Sequence, residues 1–133
     1  MAEFSIIRQY FQSLTSQSLT SQHTQDVGIG DDCAVTTPPQ GMQLVSCVDT
    51  LVAGRHFPLN TSAHAIGWKS VAVNLSDLAA MGATAHSILL ALSLPKIEEA
   101  WLAEFSRGVA ECCKTYNVQL IGASLEAIDR GED

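Results

Sequence analysis

The sequence predicts an α/β fold, a small mixed four-stranded sheet with helices on one face, and three observations predict it. Strand-like apolar runs alternate with helix-period segments through the second half of the chain. Aromatic residues are few, so the core is built from Ile, Leu, Val and Ala. At 133 residues the chain fits one domain, long enough to bury roughly two thirds of its unfolded surface. Neither an internal repeat nor a second hydrophobic core is visible.

Taken in order, Phe4, Ile7, Tyr10, Phe11 and Leu14 recur at helical spacing and predict a short amphipathic helix. Residues 13–25 are almost wholly Ser, Thr and Gln, too polar to bury, and read as a loop. Cys33-Ala34-Val35 predicts a first strand, Pro38-Pro39-Gln40-Gly41 a turn, and Met42 to Val48 a second, mostly apolar and therefore central strand. Asn60, Thr61 and Ser62 are N-cap candidates for a long helix that runs to Met81 and stops at Gly82. Thr84 to Leu94 predicts a third strand, closed by Pro95. Trp101, Leu102, Phe105, Val109 and Cys112 mark a second amphipathic helix over 97–116, and Val118 to Gly122 a fourth strand. The domain is expected to span 1–122. Residues 123–133 form a divergent acidic tail, of which Leu125 to Asp133 is helix-permissive in composition.

Net charge is −7, with no cluster of Lys or Arg. That argues against nucleic acid as a partner, because affinity for a phosphate backbone rests on basic patches. An acidic protein still handles phosphates when divalent cations sit between its carboxylates and the ligand. The first residues carry Glu3 where a secretory leader carries positive charge. The longest apolar run, Ile88 to Leu92, is too short to span a bilayer. The four cysteines show no CxxC spacing and read as reduced, mostly buried thiols of a cytoplasmic protein. A zinc site that gathers His23, His64 or His86 onto them is the weaker alternative.

Three acidic motifs carry the chemistry. Asn74 and Asp77 are spaced i, i+3 and share a helix face, where an amide and a carboxylate suit a hard cation or polar ligand. A solvated polar stripe is the plainer reading. Gly28-Ile29-Gly30-Asp31-Asp32 sets two glycines before paired acids at a loop-to-strand junction. It lacks the third glycine of a dinucleotide fingerprint, and a β-turn with solvated acids is its alternative. Asp49 directly follows an apolar strand, where acids of α/β folds line the ligand crevice. A strand-terminating Asx-turn is the other possibility. Were Asp32, Asp49 and Asp77 to converge, each pair at about 5 Å would repel by about 3 kcal/mol at an effective dielectric of about 20. Three such pairs would consume most of a small domain's stability, so convergence requires cations, and oxygen donors select Mg²⁺ or Ca²⁺ over zinc. Mg²⁺ keeps waters and recruits phosphate oxygens, which points to nucleotide chemistry.

The motifs Gly28-Ile-Gly-Asp-Asp-Cys-Ala-Val, Asp49-Thr-Leu-Val-Ala-Gly-Arg-His-Phe and Asn74-Leu-Ser-Asp-Leu-Ala-Ala-Met-Gly-Ala resemble the thiamine-monophosphate kinase family, in its N-terminal domain. That family shares a superfamily with aminoimidazole ribonucleotide synthetase and selenophosphate synthetase. The likeness runs from about Glu3 to Gly122. It implies ATP-dependent phosphorylation of thiamine monophosphate to the diphosphate, with Mg²⁺ bridging carboxylates and phosphates. By position Asp32, Asp49 and Asp77 resemble the metal ligands, His56 a substrate contact, and Gly122 and Ala123 the stretch that approaches ATP. No protein nucleophile is implied, since phosphoryl transfer proceeds by positioning and charge neutralisation. The family pairs its sheet with that of a second subunit, which implies a homodimer through the sheet edge.

The chain departs from the family pattern in three respects. Cys47 and Val48 stand where polar residues often precede the strand-end acid. Gly122-Ala123-Ser124 stands where the family has Gly-Gly-Asp, so a carboxylate is missing. Nothing after residue 122 resembles the family's C-terminal domain, which implies a fragment inactive alone. The alternatives are a non-catalytic dimerising module that binds Mg²⁺ or a nucleotide, and a small Ca²⁺-binding protein.

Overall fold

The computed structural model describes residues 8–11, 33–50 and 60–127. Their regular elements, in order, are helix α1 (Ala63–Ala80), strand β1 (Ser87–Leu94), helix α2 (Glu99–Thr115) and strand β2 (Gln119–Ala127). A helical turn at residues 8–10 leads into Phe11, which is buried in the core against Phe105, so aromatic rings share a core that the composition predicts to be aliphatic. The rest of the expected N-terminal helix lies outside the described residues.

Helix α1 starts where a side chain can satisfy its open N–H groups. Ser62 sits in extended backbone and its Oγ accepts from the Ala65 amide at 3.1 Å. The helix ends where Gly82 takes φ +68°. There the Gly82 amide donates to Ala79 and the Ala83 amide to Leu78, each at 3.0 Å, closing two carbonyls that a continued helix would have served. Helix α2 ends the same way with Asn117 at φ 53°, its Val118 amide donating to Cys113 at 2.9 Å.

The two helices cross at a pair of glycines. A Cβ on Gly67 would overlap the Phe105 carbonyl, and a Cβ on Gly108 would overlap the His64 carbonyl. That close approach brings Val71 of α1 against Phe105, Val109 and Cys112 of α2. Near the same crossing, His64 Nε2 lies 2.7 Å from Glu111 Oε2.

Strands β1 and β2 pair in parallel, joined through α2, as parallel neighbours require. Ser87 faces Gln119 and Leu94 faces Ala127, with an irregularity that leaves Ile121 without a β1 counterpart. Ile88, Leu90 and Leu92 pack towards the helices with Leu120 and Ala123. On the opposite face Leu89 is 73% exposed, and Ala91, Ser93, Ser124 and Glu126 are exposed with it.

The described sheet therefore has two parallel strands, a correction to the expected mixed four. The Met42–Val48 run forms no regular strand and is exposed along its length, Val48 to 91%. A strand exists only with a partner to complete its hydrogen bonds, and the described residues of this chain supply none for that run. Of the expected first strand, Val35 alone makes a β-bridge. Strand β2 also runs to Ala127, beyond Gly122, so Leu125 to Ala127 are strand where composition reads as helix-permissive.

Candidate functional site

Helix α1 presents Asn74 half-buried and Asp77 exposed, one turn apart. Asn74 is held at both ends of its amide. Its Nδ2 donates to the Ser70 carbonyl at 3.2 Å, one turn back along the helix. Its Oδ1 lies 3.6 Å from the Cys47 sulfur, and its main-chain oxygen 3.7 Å. Cys47 thus brings the segment that ends in Asp49 against the face of α1 that carries Asn74. Asp49 is exposed, and its Oδ1 accepts from the Thr50 amide at 2.9 Å. The two described aspartates are therefore attached to elements in contact, through residues two and three positions away. Both carboxylates are exposed.

Asp32 and His56 lie outside the described residues. Gly122 and Ala123 sit in the middle of β2, opposite Leu89 and Leu90. A Cβ on Gly122 would lie 2.7 Å from Leu89 Cδ2, so glycine leaves that leucine its place on the exposed face. Ala123 packs against the core. Ser124, where a carboxylate was expected, is exposed opposite Ala91. Lys69 is half-buried on α1.

The cysteines divide into two pairs. Cys33 and Cys47 are exposed, contrary to the expectation of mostly buried thiols, whereas Cys112 and Cys113 are buried, and all four are free. Burial pushes the Cys112 thiol up to about 11. Cys113 is pushed up to about 12 by burial and by the neighbouring Cys112. Both are protonated at neutral pH and poor metal ligands or nucleophiles there. Among the described residues, no group of three or more His, Cys, Asp or Glu is placed to hold a metal ion.

Two features escaped the sequence. The Cys47–Asn74 contact joins residues 27 positions apart and has no local signal. Gln119 is buried, and neither of its side-chain polar atoms has a hydrogen-bond partner among the described residues. A polar residue opening an apolar strand was its only trace.

Comparison with known proteins follows the same segments. Residues 30–133 match the family model "AIR synthase related protein, N-terminal domain". Thiamine-monophosphate kinase from Haemophilus influenzae is 43% identical over 122 residues, 92% of this chain and 36% of the relative. The Escherichia coli K12 protein of the same name is 45% identical over 120 residues, 90% of this chain and 36% of its own length. The crystal structure of thiamine-monophosphate kinase from Stenotrophomonas maltophilia K279a superposes with a TM-score of 0.80 at 41% identity. It covers 96% of this chain and 39% of that one. The chain thus spans little more than a third of the relatives it matches.

Proposed function

This chain belongs to the AIR synthase related protein family, through the N-terminal domain, and from that premise we propose that it forms the cation- and nucleotide-holding part of a thiamine-monophosphate kinase. The observation that carries the reading is the Cys47–Asn74 contact, which sets the Asp49 segment against the helix face bearing Asp77. The donor set fits the cation. Asp49 and Asp77 are exposed carboxylates, the hard oxygen donors that Mg²⁺ prefers.

In this reading Asp32, Asp49 and Asp77 hold Mg²⁺, His56 contacts thiamine monophosphate, and Gly122 and Ala123 lie along ATP. Bound Mg²⁺ supplies charge neutralisation between the carboxylates and the phosphates. The chain's own task is to hold the acceptor phosphate and the ATP terminus in line, without a protein nucleophile. The domain extends through β2 to Ala127, beyond the expected boundary at 122, and the remaining kinase function requires the further length that the relatives possess. The exposed Met42–Val48 run supports a homodimer in which it gains a strand partner. A cytoplasmic setting suits two exposed free thiols.

One observation favours a second reading, a non-catalytic dimerising module that binds Mg²⁺ or nucleotide. Ser124 offers a hydroxyl where the family resemblance expects a carboxylate. Calorimetry of the chain with ATP and Mg²⁺ tests what both readings share: magnesium-dependent binding, weakened at least about tenfold in Asp77→Asn and Asp49→Asn. ATP binding indifferent to both substitutions would overturn it. Addition of thiamine monophosphate separates the two, since turnover belongs to the kinase alone.

A further inference from the structure

We propose that Cys47 is a positioning residue: its thiol locks the Asn74 amide and keeps the Asp49 segment in register with the helix face that carries Asp77. The inference rests on the reading of these two aspartates as cation ligands.

The orientation of Asn74 is dictated by its neighbours. The Ser70 carbonyl can only accept, so the amide nitrogen must face it, and the 3.2 Å contact is that bond. The amide oxygen then faces the other way, where the Cys47 sulfur stands 3.6 Å off. Both Asn74 atoms near the sulfur are acceptors, so the thiol is the donor, its single proton shared between them.

From that clasp the two carboxylates are short steps away. Asp49 is two residues along, so its Cα lies at most about 7 Å from that of Cys47. Asp77 is one helical turn from Asn74, on the same face. A slip at the clasp therefore shifts the Asp49 segment relative to the helix face that carries Asp77. A thiol is a soft donor with little affinity for Mg²⁺, so it does not serve as a ligand itself. Its role separates cleanly from ligation. A hydroxyl in the same place preserves the donor, and a methyl group removes it.

The test combines two measurements on the full chain and its Cys47→Ala and Cys47→Ser variants. The first is the Asn74 side-chain NH₂ signal by NMR. Loss of the clasp in Cys47→Ala shifts that proton pair and speeds its exchange, and Cys47→Ser returns it towards its original position. The second is Mg²⁺ titration, in which Cys47→Ala binds about threefold more weakly, the worth of one modest hydrogen bond, and Cys47→Ser recovers. An Asn74 signal unmoved in Cys47→Ala overturns the proposal. So does a moved signal with unchanged Mg²⁺ affinity. If the unsubstituted chain binds no Mg²⁺, the cation reading itself fails, and the positioning role falls with it whatever the amide signal shows.

Discussion

Replacing Gly108 by alanine tests the helix crossing on which the core depends. In an isolated helix the change would be favourable, by about 1 kcal/mol. Here the new methyl group would overlap the His64 carbonyl oxygen and lie 2.8 Å from the Trp68 nitrogen and 2.9 Å from the His64 carbonyl carbon. All three are backbone atoms of α1, which cannot swing aside as a side-chain tip can. The helices must part, and a gap of about 1 Å forfeits up to about half of the dispersion at the affected contacts. Overpacking of this kind costs about 1–3 kcal/mol, and backbone opposition sets it at the upper end. The net expectation is destabilisation by about 2 kcal/mol, or about 8 °C in Tm for a chain of this size. Urea and thermal unfolding followed by circular dichroism measure it. Gly67→Ala should behave alike, because its Cβ meets the Phe105 carbonyl in the same crossing. The double variant should cost less than the sum, since helices already parted accept the second methyl group. A Gly108→Ala protein as stable as the parent, or more so, would refute the reasoning.

Other expectations follow from single groups. Gln119→Leu removes an amide that is buried without partners among the described residues and should be neutral or stabilising by up to about 2 kcal/mol in urea unfolding. Ser62→Ala removes the α1 cap and should cost about 1 kcal/mol by the same measurement. Cys112 and Cys113 have folded-state values raised from 9.0 to about 11 and about 12. Above about pH 9 the unfolded thiols ionise while the folded ones stay protonated. Their contribution is thus fully present below that pH and is lost as pH rises towards 11 and 12, which denaturant titration at stepped pH will read. At pH 7.5 a thiol reagent should label Cys33 and Cys47 quickly and the other two only on unfolding.

Local signals were the legible ones. The Ser62 start and Gly82 stop of α1 are chemistry within a few residues, and both stand in the structure. The Trp101, Leu102, Phe105, Val109 and Cys112 spacing likewise marked α2, and Phe105, Val109 and Cys112 lie in the core. The sequence signal for β2 stops at Gly122 because Ala123-Ser124-Leu125-Glu126-Ala127 carries no strand preference of its own. Pairing with Leu90–Leu94 imposes the extended form. Met42–Val48 misled in the other direction, since apolar character implies cover without saying whose surface provides it. At the site, Asn74 and Asp77 share a face as their spacing required, but the Cys47 link between distant segments belongs to tertiary packing. No periodicity reports it.

The parallel pairing of β1 with β2 bears on how the protein is made. Ser87 waits for Gln119, and Leu94 for Ala127, with all of α2 synthesised in between. At about 5–20 residues per second, β1 emerges from the ribosome with its ladder unformed for about 2–7 seconds. For that interval Ile88-Leu89-Leu90-Ala91-Leu92 is a bare apolar strand, the kind of segment that chaperones grip. Any pause between the emergence of β1 and that of β2 would lengthen that window and should raise misfolding during translation.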